Sequence, residues 1–187
     1  MNRANEMLIA PTSPLLLVVL VGVPGSGKST FASELIGGAP SEGRAWCRIS
    51  QDVLGTRKRC IKVAEAALKN GENLVIDRCN FDQSQRAHWL ALRGPQQPTW
   101  RLAVYLPLSE GDARDRVLGR GVHEGGVDTT NMSEEKIGEI VSRMHSSMCP
   151  PVKSEGFDER LLVSSSMQRD AALGRIWSLA AATSEAA

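Results

Sequence analysis

At 187 residues the chain is long enough for one domain with a full buried core. Its 42% hydrophobic and 23% charged residues describe a folded protein and exclude a disordered one. A net charge of +1 excludes a polyanion-binding surface spread over the whole molecule, so any nucleic-acid contact must rest on local charge. Residues 1–14 carry two prolines and no periodicity, which predicts a flexible lead. Leu15–Val23 is rich in Leu and Val and bounded by turn residues, so it reads as a strand buried on both faces. Nine residues cannot span a bilayer. Cleavage after a signal sequence there would destroy the motif that follows, so that reading is rejected.

A helix is expected over Lys28–Ile36, stopped by Gly37 and Gly38. Ala45–Ile49 reads as a short second strand. Arg57–Asn70 places Ile61, Ala64 and Leu68 at helical spacing, and Leu74–Asp77 reads as a third strand. Asp82 with Gln85 resembles a capping box for a helix through Leu92. After a fourth strand at Trp100–Leu106, Ser109 with Asp112 opens a helix to about Gly119. Gly119–Asn131 reads as a mobile loop, Ser133–Met148 as a helix, Arg160–Ser164 as a last strand and Met167–Ala181 as a last helix. Strands alternating with helices predict an α/β fold, a parallel sheet covered on both faces, in a single domain over 15–187 with a lid at about 116–131. The cysteines Cys47, Cys60, Cys79 and Cys149 form no C-x-x-C pair. They point to reduced thiols in an intracellular protein, nucleus and cytoplasm undistinguished.

The run Gly22-Val23-Pro24-Gly25-Ser26-Gly27-Lys28-Ser29, followed by Thr30, matches the P-loop pattern G-x-x-x-x-G-K-[ST] in full. Glycines let backbone N–H groups ring the phosphates of a nucleotide, Lys28 bridges the outer phosphates, and Ser29 ligates Mg²⁺. A chance match in a chain this long is on the order of 1% before its context between strand and helix is counted. Asp77, ending an apolar strand, is a candidate Mg²⁺ carboxylate or a cap for the turn that follows. Asp52 is a candidate general base at a strand end, or the N-cap of the Arg57 helix. Asp52–Gly55 also fits the GTPase pattern D-x-x-G, but no N-K-x-D guanine reader exists in the chain. Arg116 and Arg120, four apart, share one face of the predicted helix and are candidates to close over a transferring phosphoryl group; Arg114 falls on another face. Interleaved Asp112 and Asp115 leave a solvated charged helix as the plainer reading. Arg44, Arg48, Arg57, Lys58, Arg59 and Lys62 form a local basic cluster, followed by Arg78, Arg86 and Arg93. Phe81, Trp46, Trp89 and Trp100 are core residues or base-stacking platforms.

The run Ile49–Gly55, then Arg59-Cys60, Ala67–Lys69 and Val75–Asn80, together with the P-loop and Phe31, closely resembles the kinase domain of polynucleotide kinase/phosphatase. It is similar also to the kinase module joined to aprataxin-like proteins. The resemblance covers Leu15 to Phe157, with Glu155-Gly156-Phe157 as a late match. It implies ATP- and Mg²⁺-dependent phosphorylation of a 5′-hydroxyl end of DNA or RNA, and the sheet order 2-3-1-4-5. It makes Asp52 the base, gives Lys28 and Ser29 the phosphate and Mg²⁺ roles, and places a lid arginine near Arg116 to Arg120. It sets Asp77, Arg78, Asn80 and Arg86 around the active site, and Arg57 of the basic cluster is a further candidate substrate contact with Arg78, Asn80 and Arg86. Two departures stand out: Gln51 replaces the arginine that often precedes the base, and Arg86 is followed by His88 where animal members carry a second arginine. The phosphatase signature D-x-D-G-T and the triad H-x-H-x-H are absent, so the expected partner is a phosphatase or histidine-triad end-processing domain of a larger protein, with no membrane involved. The rivals are a small-molecule P-loop kinase acting on a sugar, nucleoside or antibiotic hydroxyl, and a nucleotide-dependent module that binds nucleic-acid ends. The sequence leaves open the role of residues 158–187.

Overall fold

The computed structural model describes residues 14–93, 98, 100–120 and 127–181; the expected N-terminal lead and the centre of the expected lid loop fall outside them. In chain order the elements are β1 (Leu16–Val21), α1 (Lys28–Gly37), β2 (Trp46–Ser50), α2 (Gln51–Leu54), α3 (Arg57–Lys69), β3 (Asn73–Asp77), α4 (Gln83–Leu90), β4 (Trp100–Tyr105), α5 (Glu110–Leu118), α6 (Glu134–Ser146), a 3₁₀ turn at Lys153–Glu155, β5 (Glu159–Leu162) and α7 (Ser166–Ala181). The strands form one parallel sheet in the order β2-β3-β1-β4-β5, as expected.

Alternation along β1 explains the layers. Leu17, Val19 and Val21 face a core closed by Cys60, Ala64 and Leu68 of α3 and Trp89 of α4. Leu16, Val18 and Leu20 face the opposite core, closed by Phe31 and Leu35 of α1 and by Leu173 and Ile176 of α7. Every residue of β1 is buried because helices cover both faces of a parallel sheet. A third cluster joins Val23 of the P-loop to Ala113 and Val117 of α5 and Ile137 and Val141 of α6, so the α5–α6 pair rests against the phosphate loop.

Caps set most boundaries. Thr56, Asp82, Ser109 and Ser133 each accept a hydrogen bond from the N–H three residues on. The Asp82 and Ser109 motifs differ from a full capping box: Gln85 Nε2 returns to the Asp82 carboxylate at 3.1 Å, and Ser109 Oγ donates to the Asp112 carboxylate at 2.6 Å. Neither reaches the cap's backbone N–H.

Two elements escape the sequence reading. The single turn α2 is too short to show a period, and the 3₁₀ turn is held by Val152 N–H donating to Glu155 at 2.8 Å. Residues 158–181, left open above, provide the edge strand β5 and the helix α7 that covers α1. Trp177 Nε1 donates to Leu35 C=O at 2.9 Å, and its ring fills the space where a Cβ on Gly38 would lie, 2.4 Å away. No helix among the described residues is long and apolar enough to cross a membrane, and all four cysteines are free.

Candidate active site

The carboxyl ends of β1, β2 and β3 open into a cavity of about 510 Å³. Pro24, Gly25, Gly27, Lys28, Ser29 and Thr30 form one wall. Gly22 and Val23 sit behind it: a Cβ on Gly22 would come within 2.5 Å of Ser26 Oγ and 2.8 Å of Leu106 C=O, and Val23 is buried. Gly22 N–H donates to Cys79 C=O at 3.0 Å, which ties the loop to the end of β3. Gly27, at φ +92, is the N-cap of α1 and offers no capping side chain, so the first N–H groups of the helix are left for an anion. Lys28 Nζ donates to Val23 C=O at 2.7 Å and Ser26 Oγ at 3.3 Å, so the loop itself holds the ammonium beside the place a phosphate would occupy.

Asp52 lies opposite, exposed in the first turn of α2 and lining the cavity. It is not the N-cap of α3; Thr56 has that role, its Oγ1 accepting from Arg59 N–H at 3.2 Å. Gly55, at φ +81, ends α2, so the D-x-x-G match is one helical turn and its stop. The Asp52 charge acts on two guanidinium groups of the cavity wall, Arg78 and Arg120. Burial, the larger effect, pushes both arginines below their usual range, and the nearby carboxylate offsets part of that.

Arg116 and Arg120 both reach the cavity, but not from one helix face. Helix α5 stops at Leu118 with Gly119 as cap, so Arg120 lies beyond it and donates through Nε to Val127 C=O at 3.2 Å. Arg116 hangs over the P-loop, 3.5 Å from Gly25 C=O. Arg114 does point elsewhere, its guanidinium beside Gly138 of α6.

Asp77 is buried and caps nothing. Its Oδ2 accepts from Arg48 Nε at 2.9 Å and NH2 at 2.6 Å. Arg48, assigned above to a basic cluster, therefore neutralises a strand-end carboxylate. Asp77 and Ser29 both line the cavity and carry hard oxygen donors. They fit Mg²⁺ carried in on a polyphosphate, which takes few protein ligands. Among the described residues no cluster of three or more His, Cys, Asp or Glu side chains offers a site for an ion without phosphate.

Two expected substrate contacts are structural instead. Arg86 is 1% exposed and pairs with Glu155, itself 2% exposed, while NH1 donates to Asn80 C=O and Cys149 C=O at 3.0 and 2.9 Å. Asn80 is fully buried at φ +45. Its Nδ2 donates to Leu20 C=O at 2.7 Å, and its Oδ1 accepts from Trp89 Nε1 at 2.8 Å. Both residues are spent on interior groups, which leaves none of their side chain to a ligand. Asn80→Ala orphans a carbonyl and an indole N–H at once, so we expect a loss of about 2–4 kcal/mol. Denaturant unfolding checks this, with the cavity's ligand affinity unchanged under folding conditions. Arg57 is exposed at the start of α3, outside the cavity wall, and its charge acts on Arg78.

Trp89 is core; of the aromatic candidates, Phe81 lines the cavity. Gln51, Cys79, Gln85 and Met144 complete the wall. Gln51 registered in the sequence only as a departure and Gln85 only as a capping partner. Met144, from the distant α6, gave no signal.

No protein-family model matches the chain. Over 161 residues it is 33% identical to the Arabidopsis thaliana protein named transcription factor bHLH140, a match spanning 83% of this chain and 17% of that protein. Over 107 residues it is 36% identical to the bifunctional polynucleotide phosphatase/kinase of Schizosaccharomyces pombe, spanning 57% of this chain and 25% of that protein. Over part of their length, the chain is similar in sequence to bifunctional polynucleotide phosphatase/kinases. It spans a quarter or less of the length of these two relatives. The solved structure of a fungal RNA kinase superposes with a TM-score of 0.68 at 17% identity, covering 88% of this chain and 84% of that one. A gluconokinase from Sinorhizobium meliloti follows at 0.56, over 88% of this chain and 94% of that one, at 17% identity. These two likenesses establish the shared P-loop kinase fold. The late match Glu155–Phe157 has a structural basis: Glu155 holds Arg86, and Phe157 packs in the same core as Trp89.

Proposed function

We propose that this chain transfers the γ-phosphoryl group of ATP to the 5′-hydroxyl end of a nucleic acid. The observation that carries the reading is the convergence of the P-loop, Asp52 and the cationic side chains of Arg78, Arg116 and Arg120 on one cavity. In that arrangement the 5′ oxygen forms a bond to the γ-phosphorus as the bond to the β–γ bridging oxygen breaks, and ADP leaves. Asp52 takes the hydroxyl proton. Lys28, the α1 N-terminus and the two arginines from the α5 end oppose the charge on the transferring group. Ser29 and Asp77 would be the protein-side donors to Mg²⁺, which would supply neutralising charge to the nucleotide's phosphates. Exclusion of water falls to the Arg120 side of the cavity, where the guanidinium is tied across to Val127.

The S. pombe relative carries a phosphatase in its name, and this sequence has no D-x-D-G-T motif. A phosphatase or histidine-triad end-processing domain is the partner that suits this activity. An intracellular setting suits four free thiols.

The test is transfer of label from γ-labelled ATP, with Mg²⁺, to 5′-hydroxyl oligonucleotides, with gluconate and nucleosides as competing acceptors. Labelled oligonucleotide ends, lost in Lys28→Ala, are expected. Label on the small alcohols alone would replace this reading with that of a small-molecule kinase. ATP-stimulated end binding without transfer would leave a binding module.

A further inference from the structure

Two polar atoms in the cavity wall are buried without a hydrogen-bond partner: Gln51 Oε1 and Arg78 NH1. Buried polar atoms are nearly always paired, so two orphans in one wall ask for a ligand. Their backbones leave the sheet at neighbouring points: Ser50 of β2 and Asp77 of β3 are register partners, Gln51 opens α2 directly after Ser50, and Arg78 follows Asp77. Each is rooted. Gln51 C=O accepts from Gly55 N–H at 2.7 Å, and the Arg78 guanidinium stands 5.6 Å from the centre of the Trp89 ring.

The two orphans demand opposite groups. A guanidinium N–H needs an acceptor, and an anionic one suits it best. A carboxamide oxygen needs a donor, and a phosphodiester has none. A ribonucleotide supplies this pair on neighbouring carbons: the 2′-hydroxyl as donor and the 3′-phosphate as acceptor. A deoxyribonucleotide supplies the phosphate and leaves the carboxamide oxygen unpaired in a buried wall. Base edges also carry donors, but these differ from base to base, whereas the sugar is the same at every RNA end.

Resting on the reading that the substrate is a 5′-hydroxyl nucleic-acid end, we propose that Gln51 and Arg78 select RNA. Arg78 holds the phosphate 3′ to the terminal nucleoside, and Gln51 accepts a hydrogen bond from its 2′-hydroxyl. Gln51 thereby becomes a specificity residue one position from the base Asp52, where the family's usual arginine offers no acceptor.

The experiment compares kcat/KM for oligonucleotides that differ only at the 5′-terminal sugar, as ribose, deoxyribose or 2′-O-methylribose, with each of the four bases. A ribose end is expected to be used about tenfold better or more, because a site built around a substrate hydroxyl penalises its absence. The 2′-O-methyl end should fall with deoxyribose. Gln51→Leu should remove the preference by lowering the ribose value alone. Gln51→Glu keeps the acceptor oxygen and should keep the preference, which guards against a folding defect in the leucine variant. Arg78→Ala should lower all sugars alike. Equal use of ribose and deoxyribose ends by the wild type, a preference that survives Gln51→Leu, or one that follows the base would overturn the assignment. Failure of every oligonucleotide to accept phosphate would instead bring down the kinase reading on which it rests.

Discussion

If Asp52 is the base of the proposed transfer, replacing it by asparagine is expected to lower kcat by about 10²–10⁴-fold, the range for loss of a positioned general base. KM for ATP and the melting temperature stay where they are. The reasons are on the cavity wall. Asp52 is exposed and makes no hydrogen bond that holds an element in place, since Thr56 caps the following helix. Asp52 comes from α2 and not from the phosphate loop, so nucleotide binding is expected to survive its replacement. Asparagine preserves the shape and removes only the capacity to take a proton. Single-turnover transfer measured at saturating ATP isolates that step. A variant that keeps full kcat would remove Asp52 from the mechanism, while a rise in the acceptor KM at constant kcat would make it a binding group.

The largest stability effect belongs to Arg86. Its guanidinium makes a two-pronged pair with Glu155, at 2.6 and 2.7 Å, between side chains 1% and 2% exposed. Removing one member of such a pair leaves a buried charge unopposed and costs about 3–5 kcal/mol. Arg86→Met is therefore expected to lower the melting temperature by about 10 °C for a domain of this size. Glu155→Gln should do nearly the same from the other side. The double variant Arg86→Met with Glu155→Leu should recover most of the loss, because no lone charge remains.

Glu155 adds a pH signature. Burial pushes its pKa up, but hydrogen bonds from Arg86 and Val152 N–H, with the Arg86 charge, outweigh burial and hold it below the ordinary glutamate value. A depressed carboxylate contributes stability that is complete above its unfolded pKa. That contribution is lost as pH falls from about 4.3 through the folded value. The wild type should thus lose stability over that interval, and the double variant should lose less. If Arg86→Met left the melting temperature unchanged and raised the acceptor KM, Arg86 would be a substrate contact after all.

Arg86 and Asn80 show where sequence reading stops. Their place after the third strand and their match to a family pattern point to a ligand, and both stand close to the cavity in the chain. Their partners decide otherwise: Glu155 is 69 residues from Arg86, and Leu20 is 60 from Asn80. A sequence displays spacing along one helix or strand, not which of several acidic residues will meet a given arginine. Local features are legible for the same reason. The two-sided burial of β1, the P-loop between strand and helix, and the caps Asp82 and Ser109 depend on a few adjacent positions. For Asp52 the sequence offers both cap and base; the structure gives the cap to Thr56 and puts Asp52 on the cavity wall. Gln51 is only a departure from a family pattern in the sequence; that its side-chain oxygen is buried without a donor is visible only in the structure. Even the arginine pair was right in its destination and wrong in its route, because Gly119 ends the helix between Arg116 and Arg120.

The seat of α7 on α1 bears on the order in which the chain becomes competent during synthesis. The phosphate loop is translated early, yet α1 faces water along the flank that Leu173, Ile176 and Trp177 later cover. The central strand β1 likewise lacks its neighbour on one side until β4 emerges. A ribosome releasing this domain therefore holds an unfinished nucleotide site until about residue 181 has cleared the exit tunnel. Nascent chains arrested before β5 and α7 would expose an apolar helix face, a surface for chaperones, in place of a nucleotide pocket.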